Sequence, residues 1–288
     1  MNQKSKVKNR GSDYSKETLS DFGFLWREND GAKVLVSKAL EESGFVNGFS
    51  TRLGGVSPYP ENDLNLAGFG EDSDENIAEN RRRFLKVFDN RFSLTSVWQV
   101  HGNGVKTVKT LAEAQNTEEK YDALVSDLPG MLAAVKTADC VPVLLGDTET
   151  GAYAAVHAGW RGTVESIVKN AFEKMRDEFG TRPEDLIAAI GPAASGKNYE
   201  IGQEVIDAFN SKFSTSGNLL EKTREGHALI DLHIANKEQL LSIGLRAENI
   251  SIAPFCTMER TDLFFSYRVE KKTLGKTGRL MSVIGRSM

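Results

Sequence analysis

Histidine and cysteine are scarce in this chain, with four of the first and two of the second among 288 residues. Two thiols permit one disulfide at most, and their different local contexts favour free cysteines in a reducing compartment. Long apolar runs are also missing. The richest stretch, Met131 to Gly146, is too short to span a bilayer and is broken by Lys136, Asp139 and Pro142. Met1 to Ser20 is polar and lysine-bearing with no apolar centre, so it does not read as a secretory signal. A cytoplasmic protein with a flexible tail over 1–20 is expected. Neither sign of charge dominates. With 36 basic and 40 acidic residues the formal net charge is −4, which gives no general attraction to nucleic acid or an anionic membrane.

What is present is an ordinary globular composition, 40% hydrophobic and 26% charged, enough for a sizeable core. No internal repeat or linker divides the chain, so one catalytic domain is expected over 21–288. Strand-like runs are Lys33 to Ser37, Phe45 to Ser50, Ser96 to Val100, Val105 to Thr110, Ala123 to Ser126, Met131 to Ala138, Val141 to Leu145 and Gly151 to His157. Leu186 to Ile190, Ile250 to Ala253, Leu263 to Ser266 and Arg279 to Ile284 follow. Many are almost continuously apolar, as expected of strands covered on both faces. Helical stripes occupy Glu75 to Phe88, Val164 to Phe179, Gly202 to Phe213 and Asp231 to Ile243, with Thr163 placed to cap the second. The fold class is α/β, a layered mixed-sheet domain flanked by helices.

Three of the six scarce residues lie beside glycine or a charge at strand-like positions: His101 in Trp98-Gln99-Val100-His101-Gly102, Cys140 in Ala138-Asp139-Cys140-Val141-Pro142, and His157 in His157-Ala158-Gly159-Trp160-Arg161-Gly162-Thr163. Two imidazoles and a thiolate can form a three-ligand metal site with a fourth position open to water. Two core histidines and a buried thiol acting as a small hydrophobe fit the same residues, and spacing does not choose between these readings. Gln99, on the same strand face as His101, and Asp139 are candidates to orient a ligand imidazole. Gly159, Arg161, Gly162 and Thr163 would place backbone N–H groups and a guanidinium beside the site, a combination that suits phosphate. A second glycine-rich turn, Asn47 to Ser57, offers Ser50 and Arg52 as further phosphate or substrate contacts, although it also reads as a plain hairpin. Cys256 reads as a structural thiol, and His227 and His233 are assigned no chemistry.

Taken together these runs resemble the multicopper-polyphenol-oxidase-like, YfiH/YlmD-type laccase-domain family. The matching pieces are the Asn47 to Ser57 turn, Trp98 to Gly102, Asp122 to Ser126, Thr137 to Pro142, His157 to Thr163, Ile190 to Pro192 with Tyr199-Glu200, and Phe264 to Arg268 followed by Thr277-Gly278-Arg279. The resemblance implies a zinc ion on His101, Cys140 and His157, which would then be the catalytic residues. It also implies a fold similar to the catalytic domain of cytotoxic necrotising factor. The implied partners are purine nucleosides and phosphate: phosphorolysis of adenosine, inosine and methylthioadenosine, and deamination of adenosine. A homodimer is compatible with this reading. Copper fits the ligand types, but such sites usually gather Cys and His on one short loop, and here they are far apart. The chain departs from the pattern at Leu66 to Glu71, where relatives often carry a His-Val-Gly-Asp type run, and at Tyr267-Arg268-Val269, where a second Arg is common. The alternative is a metal-independent amide hydrolase with Cys140 as nucleophile and His157 or His101 as base, acting on a peptidoglycan precursor.

Overall fold

The computed structural model describes residues 16–58, 61–67, 72–89, 91–213 and 219–288. The first six-stranded sheet runs β1 (Phe24–Asn29), β2 (Ala32–Ser37), β3 (Phe45–Ser50), β15 (Leu280–Arg286), β7 (Met131–Thr137) and β4 (Ser93–Thr95). The second runs β14 (Ile250–Ile252), β10 (Leu186–Ile190), β8 (Val141–Asp147), β9 (Tyr153–Ala158), β6 (Ala123–Ser126) and β5 (Val105–Val108). A small antiparallel sheet of β11 (Glu200–Gly202), β13 (His227–Ile230) and β12 (Leu220–Arg224) stands apart from both.

Side-chain alternation stacks these sheets. Leu35, Phe49, Val135 and Ile284 of the first sheet share one apolar cluster with Leu144, Tyr153, Ala155 and Ala189 of the second. That cluster is the layer between the sheets. The opposite faces are apolar too. Val34, Val36, Leu132, Ala134 and Val283 pack with Phe84 of the helix Asp74–Lys86. Val143, Leu145, Ala154 and Val156 pack under Ile167, Val168, Ala171, Phe172 and Met175 of the helix Ile167–Phe179. The order is therefore helix, sheet, sheet, helix. Covering on both faces is why β7, β8 and β9 read as unbroken apolar runs.

Several expectations are corrected. Lys16–Asp21 is helical and Leu19 is fully buried, so the last residues of the expected tail are structured; 1–15 lie outside the described residues. Ser96 to Val100 is not a strand but an irregular segment with a single bridge between Trp98 and Lys120. His101 that follows has φ +59°, a left-handed conformation, so Gln99 and His101 do not share a strand face. Leu263 to Ser266 is likewise irregular. The helix expected from Val164 is two helices, Trp160–Val164 and Ile167–Phe179, broken at Ser166 with φ +61°. Thr163 lies inside the first of them, and Gly159 and Ser166 hold the cap positions.

Candidate metal centre

β8 and β9 pair antiparallel with Pro142 opposite His157. His157 shares its parity with Tyr153 and Ala155, and Cys140 shares that of Leu144, so both point toward the inter-sheet side at one end of the second sheet. The third residue arrives from the irregular segment after Trp98. One ligand atom from each of His101, Cys140 and His157 lies within 4.8 Å of the others. The two imidazole rings meet edge to face, with centroids 4.9 Å apart and planes at 81°. His157 is buried, Cys140 is half-buried and His101 is exposed, so the cluster faces solvent on one side.

Asp122, fully buried just before β6, holds this arrangement. Its carboxylate accepts the backbone N–H groups of His101 at 2.9 Å, Gly102 at 2.7 Å and Val100 at 3.3 Å, which fixes the left-handed turn carrying His101. The same carboxylate lies 2.8 Å from Nδ1 of His157. In the neutral ring, a proton on Nδ1 donated to Asp122 leaves the Nε2 lone pair of His157 available to a metal. Burial alone would raise the Asp122 carboxyl, but His157 and the N–H groups outweigh it and hold it below the usual carboxylate range.

The same neighbours act on the thiol. Burial opposes a charged sulfur, yet His157 and His101 together draw the Cys140 thiol down to about 6. Burial would likewise discharge His157, but Cys140 and Asp122 lift it to about 9. A thiol that ionises this readily is a ready metal ligand or nucleophile. Gly159 presses on the cluster: a Cβ there would stand 3.1 Å from Cδ2 of His101 and 3.3 Å from Sγ of Cys140. Here glycine serves close approach and not a special turn, since its φ is −70°.

The residues expected to orient the imidazoles do other work. Both polar atoms of the Gln99 side chain bond the backbone of Lys136 at 2.7 Å, pinning the His101 segment to β7. Asp139, at φ +83°, accepts from Thr257 at 2.6 Å, Ser266 at 3.1 Å and the Arg268 N–H at 2.7 Å. It therefore ties the segment before the helix Tyr267–Leu274 to the residue preceding Cys140. Tyr199 also borders the thiol. Its phenol is pushed up, first by burial and then by the charge of Cys140, and the Arg268 guanidinium lies 4.9 Å over its ring.

Most of the expected phosphate contacts are occupied elsewhere. Arg52 is buried, with two bonds to Asp63 at 2.9 and 2.7 Å, one to Glu270 at 2.7 Å and one to the Thr261 carbonyl at 2.7 Å. It is a structural ion-pair centre facing away from solvent. Ser50 accepts the Met281 N–H at 2.9 Å inside the first sheet. The Thr163 hydroxyl is fully buried and accepts from Asn236 at 3.1 Å. Gly162 is buried against the Gly102 carbonyl. Arg161 alone of the expected charged contacts stays exposed, stacked on Trp160 and 3.5 Å from Glu204. Gly68 to Glu71, where the chain departs from the family run, lie outside the described residues.

A layered α/β protein with two imidazoles and one acidic thiol converging at one end of a sheet is the class this geometry defines. The chain belongs to the multi-copper polyphenol oxidoreductase laccase family, whose model matches residues 46–287. It is 36% identical over 262 residues to a purine nucleoside phosphorylase of Bacteroides thetaiotaomicron, covering 88% of this chain and 96% of that protein. A purine nucleoside phosphorylase of Deinococcus radiodurans is 39% identical over 238 residues, covering 82% of this chain and 87% of the relative. The fold matches the crystal structure of YlmD from Geobacillus stearothermophilus with a TM-score of 0.83 and 31% identity, over 91% of this chain and 98% of that one. Among the described residues, no helix is long and apolar enough to cross a membrane.

Proposed function

We propose that this chain is a zinc-dependent purine nucleoside phosphorylase that also deaminates adenosine. The observation that carries the reading is the convergence of His101, Cys140 and His157 within 4.8 Å, on a frame set by Asp122. The donor set fits zinc: two imidazole nitrogens and an easily ionised sulfur, with no fourth protein ligand among the described residues. His101, Cys140 and His157 would hold the ion, which would supply Lewis-acid chemistry to the site when bound.

The chain's own residues do the rest. Asp122 keeps Nε2 of His157 directed at the site, and Gly159 keeps the space beside His101 and Cys140 clear. In phosphorolysis a phosphate oxygen bonds to ribose C1′ as the bond to the purine nitrogen breaks and that nitrogen takes the proton phosphate gives up, leaving free base and ribose 1-phosphate or its methylthio analogue. Adenosine, inosine and methylthioadenosine all present that bond. In deamination water replaces the amino group at the purine C6 and ammonia leaves. The names borne by the relatives support the first reaction; the ligand set supports the second. Purified protein incubated with adenosine, with and without phosphate, tests the reading. Adenine with ribose 1-phosphate, and inosine, are the expected products. Unchanged adenosine in the presence of stoichiometric zinc would sink the proposal.

A second reading has an observation of its own. Asp122, His157 and Cys140 stand in the order of an orienting acid, a base and a nucleophile, and the thiol is drawn down to about 6. A cysteine hydrolase acting on an amide of a peptidoglycan precursor would use that line without metal. Its activity survives thorough chelation and is lost on thiol alkylation; the phosphorylase loses activity on chelation.

A further inference from the structure

Phosphorolysis needs a cation to receive phosphate. Arg52 is buried between Asp63 and Glu270, and Arg161 is stacked on Trp160 and paired with Glu204. Arg268 is placed otherwise. It is the second residue of the helix Tyr267–Leu274, and its backbone N–H donates to Asp139 at 2.7 Å. Asp139 immediately precedes Cys140, so this end of the helix is fastened beside a ligand of the metal centre. The Arg268 side chain is exposed.

Exposure has not left that side chain loose. Nη1 donates to the Glu200 carbonyl at 2.8 Å, and Cζ lies 4.9 Å over the ring of Tyr199. One backbone oxygen and one aromatic face hold the guanidinium, and most of its N–H donors stay available to a ligand. The acids nearby are turned to other partners. The Glu200 carboxylate takes Arg224 at 2.9 Å and the Thr223 hydroxyl at 2.9 Å. The Asp139 carboxylate takes Thr257, Ser266 and the Arg268 N–H, and burial pushes it up, away from full charge. Among the described residues, the Arg268 guanidinium forms no ion pair.

Tyr199 joins this cation to the metal centre. Its phenol is pushed up by burial and then by the charge of Cys140, while Arg268 draws it back, so one ring lies within electrostatic reach of both. Arg268 and His101 are both exposed, and each stands one short step from Cys140: His101 within the ligand cluster, Arg268 through Asp139 and Tyr199. A planar guanidinium offers paired N–H groups that match two oxygens of a phosphate. Held by stacking and not by a carboxylate, it keeps its charge for such a ligand.

We propose that Arg268, held over Tyr199 beside the metal centre, is the residue that receives the inorganic phosphate co-substrate. Its purpose rests on the phosphorylase reading, but its test does not depend on turnover. Orthophosphate binding to the zinc-loaded full chain is measured by calorimetry and by phosphorus NMR, with adenosine 5′-monophosphate as the competing source of the same chemistry. Wild-type protein is expected to bind orthophosphate. Arg268→Gln is expected to weaken that binding by about ten- to a hundredfold, the usual effect of losing one charge-assisted contact, with zinc content unchanged. Arg268→Met, which keeps an aliphatic stem over Tyr199, gives a second variant with the same expectation should the first fail to fold. Absence of orthophosphate binding in the wild type, binding of the nucleotide alone, wild-type affinity in a folded variant, or loss of zinc together with phosphate would each overturn the assignment. Phosphate binding that is lost in the zinc-loaded variants while the wild type cleaves no nucleoside leaves the subsite standing and removes the phosphorylase reading instead.

Discussion

Changing Asp122 to Asn should disturb two ligands with one atom. The amide retains size but loses the charge that gathers the N–H groups of Val100, His101 and Gly102 and that accepts from Nδ1 of His157. Zinc affinity should fall by roughly 10–100-fold, as for other residues that orient metal ligands. Titration against a competing chelator measures it, and an unchanged affinity would refute the role. Arg52→Met should act on stability alone. It strands Asp63 and Glu270 in a buried setting at a cost of about 3–5 kcal/mol, read from chemical denaturation. A loss under ~1 kcal/mol would mean that water reaches the pair. These two residues mark the limit of the sequence reading at this scale. The convergence of His101, Cys140 and His157 could be anticipated because few side chain types can ligate a transition metal. Asp122 opens the Asp122 to Ser126 run, but its partners are three backbone groups and a ring 35 residues away, which residue type does not disclose. Arg52 looked like an anion contact because its partners Thr261 and Glu270 lie 209 and 218 residues along the chain.

Elements covered on both faces were legible, and edge or irregular ones were not. β7, β8, β9 and the helices Asp74–Lys86 and Ile167–Phe179 are all visible as apolar runs or stripes. β1 and β12 escaped because Glu28, Arg27, Glu221 and Lys222 keep one or both faces wet at a sheet edge. Ser96 to Val100 had the composition of a strand, but the Asp122 carboxylate and Gln99 bind its end as a turn. The helix Asp74–Lys86 is held to the first sheet chiefly through Phe84, which is fully buried among Leu132, Ala134 and Val283. Phe84→Ala should therefore cost about 3–5 kcal/mol, measurable as a lower denaturation midpoint. It should spare metal content, since Cys140 and His157 lie at one end of the other sheet and His101 on the segment that links the two. Loss of metal in the folded variant would show that the two sides are coupled.

At the scale of the whole molecule, metal binding and stability should be linked. Ligand that binds only the folded form stabilises it by about 2.7 kcal/mol at a hundredfold excess over its dissociation constant. Chelation should lower the Tm and added zinc restore it, reversibly. Cys140→Ala should bind no zinc and show no such response, whereas Cys256→Ala, whose thiol accepts from the Ser195 N–H and is not part of the cluster, should behave as the wild type. A zinc-responsive Cys140→Ala protein would dismiss the ligand set.

The layering has one more result. β15 follows every other strand in the chain, yet it fills the gap between β3 and β7 in the middle of the first sheet. While the chain emerges from a ribosome, those two partners have sticky, unsatisfied borders until the closing segment is made. A nascent chain stalled before residue 280 would consequently hold most of its apolar residues with the first sheet still split in two, a state that invites chaperones or aggregation.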